Sequence, residues 1–86
     1  MPEVSRFYGI VIRMYFGDHN PPHFHAAYSG SEALININTL AVIAGRLPPR
    51  AMGLVAEWAT VHQEELLAAW EQGQNLEPIG KIDPLP

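Results

Sequence analysis

Apolar residues alternate with other residues over positions 7–16, which predicts a β-strand. One face of this strand would carry a continuous apolar row: Tyr8, Ile10, Ile12, Met14 and Phe16. The other face would carry Arg13 and Tyr15. Because an apolar row is stable only when it is shielded from water, we expect it to face the core, with Arg13 and Tyr15 on the opposite side of the sheet.

Further strands are predicted between residues 23 and 44. A strand from His23 to Tyr28 would place Phe24 on one face and both His23 and His25 on the other. Alternation also predicts strands over residues 33–38 and around residues 40–44. Arg13, Tyr15 and the two histidines would then share the face that points away from the core.

A helical period replaces alternation after the proline pair at 48 and 49. Apolar side chains recur at three- and four-residue steps from Met52 to Trp70, which is typical of a helix with one buried face. Residues 60–63 match a helix-start pattern, so a break near Ala59 is one alternative. Neither glycine nor proline interrupts residues 54–71, and we therefore favour one long helix over about residues 49–73.

These elements predict an α+β fold in a single domain spanning residues 1–86. An antiparallel sheet of three to four strands, all within residues 6–45, would pack on the long C-terminal helix. Residues 74–86 contain three prolines and would form an extended tail. With 48% hydrophobic and 16% charged residues, the chain has the composition of a folded domain. A domain of this size gains stability from association, so a homodimer or a partner protein is expected.

Composition also limits the cellular location of the protein and the ligands it can bind. The chain has no cysteine, which excludes thiolate zinc sites and disulfides and favours the cytoplasm. The first residues lack the pattern of a signal peptide, and no apolar run is long enough to cross a membrane. The net charge of −4 argues against binding to duplex nucleic acid, which needs a basic surface. RNA remains open as a substrate, because cleavage needs only local cations.

The segment from Asp18 to His25 holds three of the four histidines and a proline pair. His23 and His25 would project from one strand face, with Cβ atoms roughly 7 Å apart. His19 lies across the turn, so a metal site of His19, His23 and His25 is one interpretation. The spacing is a loose motif, however, and we expect no cofactor, with a divalent metal kept as an alternative.

The same segment permits acid–base catalysis. His23 or His25 would act as the general base, Arg13 would stabilise an anionic transition state, and Tyr15 or the other histidine would act as the acid. Cleavage of RNA requires such a set. Hydrogen-bonded turn histidines and a solvated arginine are the simpler interpretation, and His62 is expected to be a packed core residue.

A third interpretation makes the turn a binding surface for a protein. The residues that would contact the partner surround the proline pair: Asp18, His19, Pro21, Pro22 and Phe24. We favour this interaction module over an enzyme, because the acidic charge and small size supply no obvious substrate groove.

Motifs spread over nearly the whole chain accompany this turn. They are Ser5-Arg6-Phe7-Tyr8-Gly9-Ile10-Val11-Ile12, Asp18-His19-Asn20-Pro21-Pro22-His23-Phe24-His25-Ala26, Ile37-Asn38-Thr39-Leu40, Gly45-Arg46-Leu47-Pro48, and Glu57-Trp58 with Glu65-Leu66 and Trp70. Together they resemble a family of small bacterial proteins known only as domain of unknown function four-one-six-zero. The resemblance implies a cytoplasmic protein, often encoded beside another small domain in a module of toxin–antitoxin type.

The chain departs from the family pattern at one place. The third strand of similar proteins often carries acidic residues where this chain has Asn36 and Asn38. If those carboxylates bind a metal in the family, this departure weakens the metal interpretation here. The sequence therefore leaves two main hypotheses, a partner-binding or regulatory module of toxin–antitoxin type and a hydrolase or ribonuclease-like toxin.

Overall fold

A computed structural model describes residues 2–86, and Met1 lies outside the described residues. The strands are β1 (Glu3–Phe7), β2 (Ile10–Arg13), β3 (His23–Tyr28), β4 (Ser31–Asn36) and β5 (Val42–Gly45). They form one antiparallel sheet in the order β1-β2-β3-β4-β5. Helices α1 (Pro49–Val61) and α2 (Gln63–Gln74) follow. The predicted α+β class is confirmed, but the sheet has five strands instead of three or four.

The additional strand arises because the predicted strand over residues 7–16 contains a turn. Tyr8 and Gly9 have φ of 50° and 80°, and positive φ at both central residues is typical of a tight type I′ hairpin. Tyr8 and Phe16 are exposed, so only the middle of the predicted apolar row is buried. β1 begins at Glu3, before the expected boundary at residue 6. Because the turn has only two residues and one of them is aromatic, the alternating pattern continues through it, and the pattern therefore does not reveal the turn.

The favoured prediction of one continuous helix was wrong, whereas the alternative of a broken helix is confirmed, with the break at His62 instead of near Ala59. The His62 amide donates to the Ala59 carbonyl, and the residue has φ −114° and ψ 22°, outside helical geometry. At 1.5 Å per residue, a straight helix over residues 49–74 would be about 39 Å long. The longest axis of the molecule is 33 Å. The break therefore lets both apolar helix faces cover the same sheet. No helix within residues 2–86 is long and apolar enough to span a membrane.

Trp58 is the centre of the core between sheet and helices. Its side chain is fully buried, and its ring lies 5.3 Å from that of Phe7 and 5.9 Å from that of Phe24, centroid to centroid. The indole Nε1–H donates to the Asp83 carbonyl over 2.7 Å. The Ile82 amide donates to the Val4 carbonyl over 2.9 Å. The C-terminal tail is thus bonded to α1 and to the outer edge of β1.

Gly45 should be the glycine least tolerant of substitution in this sheet. It has φ +72°, and an added Cβ would lie 2.2 Å from the Glu32 carbonyl oxygen. Gly30 has a similar φ of +83° with nothing within 4 Å of an added Cβ. Positive φ alone costs roughly 1–2 kcal/mol for a residue with a Cβ, and a core-type clash adds about 1–3 kcal/mol. We expect Gly45→Ala to lower the free energy of unfolding by clearly more than Gly30→Ala in urea denaturation, and equal losses would contradict this.

Candidate functional site

Asp18, His23 and His25 form a compact group at one end of β3, named here the Asp–His–His cluster. Asp18 Oδ2 lies 3.0 Å from His23 Nε2 and 3.4 Å from His25 Nε2. One nitrogen or oxygen atom from each of the three residues lies within 4.8 Å of the others. The side chains are only 7%, 15% and 21% exposed for His23, His25 and Asp18. A carboxylate oxygen is therefore shared between two imidazoles in a largely enclosed position.

The turn that carries Asp18 is attached to the end of α2. The Gln74 side-chain amide donates to the Asp18 carbonyl over 2.8 Å, and the Gly17 amide donates to the Gly73 carbonyl over 3.1 Å. Gly73 is buried against Tyr15, where an added Cβ would lie 3.5 Å from the Tyr15 carbonyl oxygen. The Asp18 Oδ1 atom accepts from the His19 amide over 2.8 Å. The other carboxylate oxygen is thereby directed to the two histidines.

The hydrogen bonds of His23 determine which of its nitrogens carries a proton. His23 Nδ1 lies 2.8 Å from the Pro21 carbonyl oxygen. A carbonyl oxygen only accepts, so Nδ1 must be the protonated donor. In the neutral ring, Nε2 then has a lone pair and faces the Asp18 carboxylate across 3.0 Å. Two acceptors at this distance repel each other unless a cation, either a proton or a metal ion, lies between them.

His25 likewise has ring nitrogens that face carboxylate oxygens, in this case from two residues. Its Nε2 faces Asp18 at 3.4 Å and its Nδ1 faces Glu32 Oε2 at 3.5 Å. A neutral imidazole has one donor and one acceptor, so either tautomer leaves a lone pair facing a carboxylate. Nδ1 is buried and makes no hydrogen bond to any described residue. His23 therefore indicates that a cation belongs beside Asp18, and the Nδ1-protonated tautomer of His25 would turn a second ring nitrogen lone pair towards the same oxygen.

The pKa of Asp18 is affected by opposing influences. Burial raises the pKa of this carboxyl, whereas the hydrogen bond from the His19 amide and the interactions with His25 and His23 lower it. The net effect holds the pKa of Asp18 below its ordinary value. Asp18 is therefore ionised at neutral pH and is available as an anionic ligand or hydrogen-bond acceptor.

The predicted catalytic residues lie together. Arg13 is the direct partner of His25 in the pairing of β2 with β3, so both side chains are on the sheet face opposite the helices. The Tyr15 ring contacts the His25 ring edge to face, with centroids 4.4 Å apart. His23 is less exposed than expected for that face, because the Trp70 ring from α2 lies 5.2 Å from it.

The predicted binding residues are divided between surface and core. Asp18 and Pro22 are half-buried, and His19 and Pro21 are exposed. Phe24, which we expected to contact a partner, is fully buried against Trp58 and so serves the core. His19 is absent from the Asp–His–His cluster, since Asp18 takes the place predicted for it.

Residues that sequence analysis missed lie on other elements. Glu32 and Trp70 reach His25 and His23 from β4 and α2. The pairing of β3 with β4 brings Glu32 near the strand that bears His25, and an acidic residue two positions after the Ser29-Gly30 turn was the available signal. The helix-start pattern at residues 60–63 was the signal for the break before α2, which positions Trp70. His62 packs against Trp58, with ring centroids 5.5 Å apart, and bonds to Glu65, in agreement with a structural role.

Comparison with known proteins identifies a family. The family model described as Domain of unknown function (DUF4160) matches residues 9–71, which include every residue of the Asp–His–His cluster. No curated protein and no solved structure matches this chain.

Proposed function

We propose that this chain, which belongs to the DUF4160 family, binds one divalent transition-metal ion through Asp18, His23 and His25. The observation that carries the proposal is the orientation of His23. Its Nδ1–H donates to the Pro21 carbonyl, which leaves Nε2 as a ligand facing an anionic oxygen. Histidine ligands of metals usually have one ring nitrogen on the ion and the other donating to a carbonyl or carboxylate.

The distances from Asp18 to the two imidazoles support a shared ion. Two ligand atoms that are each about 2.1 Å from one ion, at angles of about 90° to 109°, are about 3.0–3.4 Å apart. Asp18 Oδ2 is 3.0 Å and 3.4 Å from the two Nε2 atoms. Two histidines and one carboxylate are a ligand set used by zinc and by ferrous iron, in sites that keep further positions open for water or substrate. Glu32, near His25 Nδ1, would orient that ring as a second carboxylate.

The asparagines in the third predicted strand do not count against this proposal. Asn36 Oδ1 accepts from the backbone amides of Asn38 and Thr39, over 2.8 Å and 3.1 Å. Its side chain therefore stabilises the turn between β4 and β5. A metal ion bound by the Asp–His–His cluster needs no ligand from Asn36.

Metal content tests the proposal directly. Protein prepared without a histidine tag would be stripped with a chelator, loaded with Zn²⁺ or Co²⁺ and dialysed. We expect about one equivalent of metal in the wild type and in His19→Gln, and less than about a tenth of an equivalent in His25→Gln. His62→Gln, which alters a histidine outside the cluster, is the control. Equal metal in all four proteins, or loss only in His19→Gln, would refute the ligand set.

The register of Arg13 favours a hydrolase or ribonuclease-like toxin as the second candidate. Arg13 lies directly opposite His25, so a cation of the chain stands beside a candidate base or metal-bound water. Expression of wild type would arrest growth under this proposal, and a His23→Ala/His25→Ala double variant would not. Growth unaffected by the wild type would exclude a toxin, whereas equal arrest by both proteins would exclude the histidines from its action.

The partner-binding role in a toxin–antitoxin type of module and the cytoplasmic location stay predictions. Exposure of His19 and Pro21 at the turn supports a contact surface there. Because these residues adjoin Asp18, a partner seated on the turn would cover the Asp–His–His cluster. Metal binding and regulation by a partner are therefore compatible at this site.

A further inference from the structure

β5 is an edge strand whose outer side is uncovered in the structure. All four of its residues are exposed, including Val42 and Ile43 at 44% and 45%. The segment from residue 40 to 45, Leu-Ala-Val-Ile-Ala-Gly, has no charged residue and no proline. Edge strands of monomeric proteins are usually protected from further pairing by charges, prolines or a covering segment. β5 has none of these protections within the described chain.

The opposite edge of the sheet differs in its charge and in being covered. The Ile82 amide donates to the Val4 carbonyl, so the C-terminal tail covers β1. Glu3 and Arg6 form an ion pair on β1 over 2.8 Å. The pairing is irregular at both edges, between Glu3 and Ser5 on β1 and between Leu34 and Ile35 on the strand beside β5, so this feature does not distinguish them. One edge of the same sheet is therefore closed, and the other is open to an additional strand.

Charge indicates what kind of strand would fit. Residues 33–56 contain no aspartate or glutamate but include Arg46 and Arg50, in a chain with a net charge of −4. Arg46 directly follows β5 and Arg50 lies in the first turn of α1, and both are exposed. Neither arginine forms an ion pair with a described residue. The nearest carboxylate on the neighbouring strand, Glu32, lies 3.5 Å from His25 Nδ1 and forms no ion pair with Arg46, so the open edge ends beside two arginines without an ion-pair partner among the described residues.

A second copy of this chain meets these conditions poorly. In an antiparallel pair of two β5 strands, each copy would present only uncharged residues and its own arginines, because no carboxylate occurs between residues 33 and 56. An extended segment with apolar residues and an acidic end would pair with the outer edge of β5 and place a carboxylate beside Arg46.

We infer that β5 accepts an extended, acidic segment of a partner protein as a sixth strand of the sheet. The partner backbone would bond to the outer N–H and C=O groups of residues 42–45, as in other cases of strand addition. Its apolar side chains would cover Val42 and Ile43, and a carboxylate at its end would pair with Arg46. This inference does not depend on the Asp–His–His cluster, which lies around β3.

A model peptide tests the inference. The probe is an eight-residue peptide of alternating valine and threonine with glutamate at each end, titrated into ¹⁵N-labelled protein up to about 1 mM. We expect the backbone amide signals of residues 41–46 to shift. A peptide with lysine at each end should bind at least about tenfold more weakly. Absence of shifts, or shifts outside this segment, would overturn the inference.

Matched variants assign the effect to β5. Ile43→Glu places a like charge on the edge and should weaken binding of the glutamate peptide at least about tenfold. Val61→Glu, at an exposed position on α1, should bind as the wild type does. Arg46→Gln should weaken binding of the glutamate peptide but not of the lysine peptide. This variant still tests the inference if Ile43→Glu fails to fold. The inference would be overturned if Arg46→Gln bound the peptide as well as the wild type does. It would also be overturned if the wild type formed a dimer that Ile43→Glu dissociates, because β5 would then pair with a second copy of the chain.

Discussion

Asp18→Asn should raise the dissociation constant for Zn²⁺ by at least about 100-fold. Asparagine has nearly the same shape and can still accept from the His19 amide through its oxygen, so the turn is retained. It has no negative charge, however, and anionic carboxylates bind divalent cations far better than amides do. Removing the one acidic ligand leaves two neutral imidazoles, which hold the ion weakly. Even the loss of an outer-shell partner typically lowers metal affinity about 10- to 100-fold.

Thermal unfolding with and without metal measures this change. Metal at about 100 times its dissociation constant stabilises the folded state by about 2.7 kcal/mol, which for a domain of this size raises Tm by roughly 10–20 °C. We expect that shift in the wild type and almost none in Asp18→Asn at the same Zn²⁺ concentration. Asp83→Asn, a substitution at an exposed tail residue, is the matched control. A metal-induced shift in Asp18→Asn equal to that of the wild type would refute the role of Asp18.

Trp58→Ala should destabilise the core strongly, with a loss of about 3–5 kcal/mol in the free energy of unfolding. The indole fills the space between Phe7, Phe24 and the helices. It also holds the tail through its bond to the Asp83 carbonyl. Small domains are stable by only about 5–15 kcal/mol, so a loss of this size removes most of the stability of a domain at the lower end of that range.

Two further variants separate the contributions of Trp58. Trp58→Phe keeps most of the ring but loses the hydrogen bond, which should cost about 1 kcal/mol beyond the change in packing. Val61→Ala, at a residue that is 73% exposed on the same helix, should change stability by less than about 0.5 kcal/mol. Urea denaturation followed by circular dichroism measures all three. Equal losses for Trp58→Ala and Val61→Ala would contradict the central position of Trp58 in the core.

Local periodicity was informative wherever one face of an element is buried. Ile10, Ile12 and Phe24 are buried as predicted, and so are Val55 and Leu66 of the helical stripe, although Tyr8 and Phe16 at the ends of the first row are exposed. Burial of an apolar face requires a spacing that matches the repeat of strand or helix, and this spacing is visible along the chain. The family relationship was visible for the same reason, because its motifs are continuous stretches of sequence.

Boundaries were harder to predict, since they depend on geometry that the pattern does not record. The turn at Tyr8 and Gly9 interrupts an alternation that continues on both sides of it. The break at His62 keeps the helical segment within a molecule whose longest axis is 33 Å. Neither place holds a proline, and the helix-start pattern at residues 60–63 is compatible with a continuous helix, so tertiary packing selects the boundary.

At the site, the sequence alone determined that His23 and His25 would lie on one short strand, opposite a strand bearing Arg13, because strand parity is a local property. Only the tertiary structure decided the third member of the cluster. Asp18 points to the histidines and His19 points to solvent because Gln74, at the end of α2, holds the turn by its backbone. The contacts of Glu32 and Trp70 depend likewise on β4 and α2. A binding site assembled from distant segments follows from how these segments pack, and the spacing of its residues along the chain does not contain that information.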